Sequence, residues 1–194
     1  MKTLLLTGAS TVILLATAPA SAAPTGAAVI RVGGSSAETC YHAAVARDGS
    51  EPALNECNSA INQDVIPFSD LVATYVNRGI LLLVRGDYKA AEADFNQASS
   101  MQPSQPEAWL NKGIARYQRG DAQSARDLFT KAIDLKTSFA ALAYFGRALA
   151  NEDAGDVRAA YSDLRRAQQL DPKWDAPREQ LKRFQVVPKK TALG

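Results

Sequence analysis

Histidine is nearly absent from this chain, with His42 alone, and cysteine occurs twice, at Cys40 and Cys57, with no C-x-x-C spacing. A zinc site of the usual three- or four-ligand kind is therefore poorly supplied. A serine elbow, a phosphate-binding loop, a paired-metal motif and a dinucleotide fingerprint are missing as well. His42 stands on a different helix face from nearby Cys40, which disfavours a Cys–His nucleophile. The sequence thus predicts no enzyme, no metal and no cofactor. Charge of one sign is also lacking, because 22 Lys and Arg oppose 20 Asp and Glu. No strongly charged polymer is implied as a partner, nucleic acid included. Lys182, Arg183, Lys189 and Lys190 make the tail locally basic, but without interleaved stacking aromatics they are expected to be solvated.

No apolar run has the length of a membrane span. The longest, Leu4 to Ala18, is broken only by Thr, Gly and Ser and falls short of the ~20 residues a crossing needs. Lys2 precedes it, and Pro19 and Ala20-Ser21-Ala22 follow, the layout of a secretory signal peptide over residues 1–22, cleaved after Ala22 or Ala23. The expectation is an exported protein, secreted or periplasmic, with no transmembrane span in its mature chain. Residues 23–36 read as a flexible arm, rich in Gly, Ser and Ala around the apolar Val29-Ile30-Arg31-Val32.

What the chain does contain is a period. Gly86-Asp87, Gly120-Asp121 and Gly155-Asp156 fall 34 and then 35 residues apart. Around them recur Ala91, Ala125 and Ala160; Phe95, Phe129 and Leu164; and Ala98, Ala132 and Ala167. Upstream recur the rings Tyr75, Trp109 and Tyr144, each followed by Gly79, Gly113 or Ala148. Both halves of the unit show helical spacing, so each unit predicts two antiparallel helices with a Gly stop and an Asp N-cap between them. Small residues let the helices approach, and the aromatic fills the space beside them. A fixed period of this size marks a solenoid. Asp94, Asp127 and Asp163 are read as solvated members of the repeat.

These units resemble tetratricopeptide repeats, whose order of aromatic, small residue, Gly-Asp, Ala, aromatic, Ala and closing Pro they follow. Pro103 and Pro172 supply the proline, while Thr137 replaces it in the middle copy. Arg78, Lys112 and Arg147 stand where the family has a leucine. The resemblance implies an all-α fold, a right-handed superhelix of antiparallel helix pairs. It places three repeats in residues 69–172, at about 72–105, 106–139 and 141–174. Residues 173–185 form a capping helix, with Trp174, Leu181 and Phe184 available to cover the last face, and the tail is expected to fray over 186–194.

Residues 37–68 hold a degenerate helix pair and a linker, after which Ser69 or Asp70 can cap the following helix. Ala53, Cys57 and Ala60 repeat the spacing of Ala91, Phe95 and Ala98, so Cys57 takes the aromatic's place, and Cys40 falls in the facing helix. In an exported chain two such cysteines are most simply one disulfide.

The resemblance further implies that the concave groove is lined by Val76, Asn77, Ile80 and Leu83 in one unit. In the next it is lined by Leu110, Asn111, Ile114 and Tyr117, and in the third by Phe145 and Leu149, beside Gly146 and Glu152. Such a groove is mostly apolar. Members that grip a C-terminal carboxylate use Lys, Arg and Asn there; here only Asn111 matches, and Val76, Ile80, Leu142 and Gly146 replace the others. The function expected is a protein-binding scaffold that takes a helix or an extended apolar segment of a peptide or protein. A non-catalytic accessory subunit of a cell-envelope enzyme is the alternative, and a thiol-redox protein using Cys40 and Cys57 a further one.

Overall fold

The computed structural model describes residues 2–6, 36–62 and 65–188. Its helices are α1 (Ser36–Ala46), α2 (Glu51–Asn62), α3 (Phe68–Arg85), α4 (Tyr88–Met101), α5 (Pro106–Gln118), α6 (Ala122–Asp134), α7 (Ala140–Asp153), α8 (Val157–Leu170) and α9 (Asp175–Leu181). Successive helices pack as the hairpins α1–α2, α3–α4, α5–α6 and α7–α8. The first helix of each hairpin also touches the first helix of the next, α1 on α3, α3 on α5 and α5 on α7. No comparable contact joins α4, α6 and α8 among the described residues. The odd-numbered helices are therefore the inner layer of an α-solenoid and the even-numbered ones its outer layer.

Each Gly-Asp pair makes its turn by one mechanism. Gly86, Gly120 and Gly155 leave the helix at φ of +82°, +83° and +79°, a left-handed conformation that costs a glycine least. Asp121 then accepts the Ser124 N–H and Asp156 the Ala159 N–H, which satisfies an otherwise orphaned donor at the start of α6 and α8. Asp87 caps α4 by position only; its carboxylate turns to Arg85 at 3.4 Å.

The recurring small residues and rings meet inside the hairpins. A Cβ placed on Gly79 would lie 2.4 Å from the Phe95 ring, and one on Gly113 2.9 Å from the Phe129 ring. Gly146, from the next hairpin, presses on Phe129 from its own side, with a Cβ-to-ring distance of 2.6 Å. In the third unit the glycine is Ala148 and the ring is Leu164, both sealed in the core. A larger residue on the first helix is thus matched by a smaller one on the second.

At the N-terminal end Cys40 and Cys57 form a disulfide across α1 and α2, with Cα atoms 4.8 Å apart. Both are fully buried with Ala44, Ala53, Leu54 and Leu81, so the bond lies under α3. Helix α3 starts at Phe68 with Pro67 at its N-cap, so Ser69 and Asp70 lie inside the first turn and neither caps it. Proline has no N–H to lose at a helix start, which explains the earlier boundary.

At the other end Trp174 stacks on Phe145, ring centroids 4.8 Å apart, and Phe184 on Tyr161 at 5.7 Å. Arg183, expected in a solvated tail, is instead ion-paired with Glu152 of α7 and only 18% exposed. The tail expected to fray from residue 186 is extended, and Phe184–Pro188 (β2) pairs antiparallel with Lys2–Leu6 (β1). Its backbone groups find partners far away in sequence, which no local pattern reveals. The remainder of the expected signal peptide, the expected arm with Val29-Ile30-Arg31-Val32, and Lys189 and Lys190 lie outside the described residues.

Candidate functional site

The inner wall made by α3, α5 and α7 is the surface on which the groove was expected. Six of the ten expected groove residues are buried, four of them in the apolar core. Val76 is sealed in a cluster with Ala108 and Ala115 of α5, and Leu110 in one with Ala143 and Ala150 of α7. Phe145 and Leu149 are covered by the capping segment, through Trp174 and Leu181. For Val76 and Leu110 the next inner helix lies over the side chain, with alanine at the contact. Core packing between repeats takes residues that the family comparison assigned to the groove.

The remaining positions divide by polarity. Asn77 and Asn111 are almost wholly buried, and the Asn111 amide donates to the Glu107 carbonyl at 2.9 Å. Ile80, Leu83, Ile114 and Tyr117 are half-buried. They pack on the core with one flank and leave the other open along consecutive inner helices. Tyr117 belongs to the core of both the second and the third unit. Burial, followed by the neighbouring Asp153, pushes its phenol above the ordinary range, so the hydroxyl stays protonated. Glu152 and Arg183 flank it, so an apolar strip ends in a charged cluster.

Electrostatics fixes the hairpins on their other side. Arg78 holds Asp94 through two hydrogen bonds of 2.8 and 2.6 Å, and Arg147 holds Asp163 through two of 2.8 Å. Each guanidinium also reaches the preceding hairpin, Arg78 to Asn58 and Arg147 to Thr130. The hydrogen bonds to Asp94 and Asp163 raise the two arginines above their ordinary pKa. Asp94 and Asp163 are consequently buried, not solvated. Asp127 is not their equivalent: counted from Gly120, that place belongs to Leu128, and Asp127 sits one residue earlier at 69% side-chain exposure.

The middle unit therefore has Lys112 and Leu128 where its neighbours have an Arg–Asp clamp. Lys112 lies over the Trp109 ring at 5.5 Å, and burial lowers its pKa. A pairing signal was available in the sequence, since Arg78 and Arg147 each precede an aspartate by the same 16 residues. Across the first boundary Glu92 of α4 takes both Arg116 of α5 and Arg119, the residue that caps its C-terminus. Across the second, Glu107 accepts the hydroxyls of Thr137 and Ser138.

The cysteine pair has no access to solvent, both residues being 0% exposed. A thiol-exchange partner would have to open the first hairpin to reach either sulfur. Among the described residues no helix is long and apolar enough to cross a membrane.

The family model described as Tetratricopeptide repeat matches residues 76–138. Tetratricopeptide repeat protein 13 of Homo sapiens is 32% identical over 88 residues, which is 44% of this chain; the chain spans a tenth of that relative's length. Two solved structures share the fold. The first TPR of Spaghetti (RPAP3) bound to the HSP90 peptide SRMEEVD is 20% identical with a TM-score of 0.55, over 57% of this chain and 87% of that one. PilW, a type IV pilus biogenesis factor, is 18% identical with a TM-score of 0.61, over 76% of this chain and 66% of that one. The period, the glycine-against-phenylalanine hairpins and these matches converge: residues 76–138 match the tetratricopeptide-repeat model, and the helical array has the fold of a tetratricopeptide-repeat solenoid.

Proposed function

We propose that this protein is an exported scaffold that holds a peptide or protein segment against the inner wall of its repeats. The tetratricopeptide fold supports a protein–protein interaction role. The observation that carries the more specific reading is the strip of Ile80, Leu83, Ile114 and Tyr117, left half open while the residues around it are sealed. An apolar strip along parallel inner helices suits a helix or extended chain that presents aliphatic or aromatic side chains. A carboxylate-gripping mode has little support, because Asn111 is buried and already donates to Glu107. Export rests on the leader-like residues 1–22, and the bonded Cys40–Cys57 pair suits an oxidising compartment.

Photo-crosslinking tests the binding surface. A photoreactive residue at Ile80 or Ile114, expressed in the source cell, is expected to capture a discrete partner, and one at Lys131 on the outer layer is not. Equal capture from both layers, or capture from Lys131 alone, contradicts the inner-wall reading. For export, the N-terminus of the mature protein is expected at residue 23 or 24. An intact Met1 in a cytosolic fraction overturns it.

A further inference from the structure

Arginine in this protein is usually answered by a carboxylate, as Arg78, Arg85, Arg116, Arg119, Arg147 and Arg183 are. Among the described residues, Arg47, Arg158, Arg165 and Arg166 form no ion pair with an acidic group, and the last three lie together on α8. They share its exposed face with Ser162 and Gln169. Arg158 and Arg165 are two helical turns apart on one line, a separation of about 10 Å, with Arg166 beside them.

The acids near this face are already engaged. Asp163, the one acid within α8, is buried and clamped by Arg147. Asp156 is occupied by the Ala159 N–H, and Asp171 by the Lys173 N–H. What Arg165 and Arg166 do contact are neutral groups at long range, Tyr161 Oη at 3.4 Å and the Gln169 amide oxygen at 3.5 Å. The other outer helices carry no such field: α4 exposes the cation Lys89, and α6 exposes Asp127 and Asp134 beside Lys131.

We propose that the outer face of α8 is a second docking surface, for an acidic segment of a partner protein whose carboxylates are spaced to meet Arg158 and Arg165. Guanidinium groups pair with carboxylates in a planar, two-bond geometry, and this chain already uses that pairing twice within its own hairpins. Ser162 adds a hydrogen-bonding group between the charges and Gln169 another beyond them, which suits a polypeptide. Adsorption to anionic lipid by three charges, with Leu170 as the exposed apolar side chain at the helix end, would be weak. This surface shares no residue with the inner wall, so either can fail alone.

The test uses the full chain and a fluorescein-labelled, alanine-based helical peptide with glutamates two turns apart, followed by fluorescence anisotropy. Binding is expected to weaken with added salt. The R158E/R165E/R166E variant is expected to lose on the order of tenfold in affinity, against at most about twofold for K89E/K131E/K136E, which changes net charge equally. Glutamine at the three α8 positions gives a milder form of the same loss if charge reversal lowers the melting temperature. Equal losses in the two variants reduce the effect to net charge and overturn the proposal. So does a wild-type protein that ignores the peptide, or one that prefers phosphatidylglycerol vesicles, a preference that would assign the face to a membrane.

Discussion

Gly113→Ala adds one methyl group where a ring already closes the space. The new Cβ would lie 2.9 Å from Cδ1 and Cε1 of Phe129 and 3.3 Å from Cζ. Phe129 cannot retreat freely, because Gly146 of the next hairpin presses on the same ring. Overpacking of this kind costs about 1–3 kcal/mol, and the better helix propensity of alanine returns about 1 kcal/mol. The net expectation is a loss of up to about 2 kcal/mol, or several degrees in melting temperature at roughly 2–4 °C per kcal/mol for a chain of this size. The third unit shows the remedy, since Ala148 there faces Leu164. Phe129→Leu alone should destabilise by opening space, yet the double variant should be less destabilised than the sum of the two by more than about 0.5 kcal/mol. Urea denaturation followed by tryptophan fluorescence, run on all four proteins, measures that coupling. Strictly additive losses would refute the glycine-against-ring account of the hairpin.

Reducing the Cys40–Cys57 bond, which closes a sequence separation of 17, should remove about 3 kcal/mol in the chain-entropy account; hydrogen exchange should show α1 and α2 losing protection first. Asp94→Asn or Asp163→Asn should cost about 3 kcal/mol by leaving a half-buried guanidinium without its charge partner, whereas Asp127→Asn should stay within about 0.5 kcal/mol, with chemical denaturation comparing the three. The Asp121 carboxyl is held below its ordinary pKa, first by the Ser124 hydroxyl and then by the Ser124 N–H. Its contribution is therefore present above the unfolded value of about 3.9 and is lost as pH falls through the lower folded value. Amide exchange at the start of α6 should accelerate across that acid window in the wild type and change less in Asp121→Asn.

The repeat unit was legible because several constraints coincide at fixed offsets: a left-handed Gly exit, an Asp after it, and small residues opposite rings. Where a residue has one partner in its own hairpin, local pattern is enough, as for Gly79 with Phe95. It was less informative where two hairpins compete for one side chain. Val76 and Leu110 carry the same signature whether they face a groove or the next inner helix, and the alanines of α5 and α7 decide it. The Arg–Asp clamps have a sequence signature only as pairs, because an arginine in the place of a family leucine looks like a departure until its aspartate is found across the hairpin. Pairing of β2 with residues 2–6 has no local signature at all.

Hydrogen exchange of the protein with and without its captured partner tests the central claim most directly. The account predicts new protection in α3, α5 and α7, centred on Ile80, Ile114 and Tyr117, that is lost when Ile114→Glu is used. Protection confined to α4 and α6, or protection of α5 that survives Ile114→Glu, would contradict it.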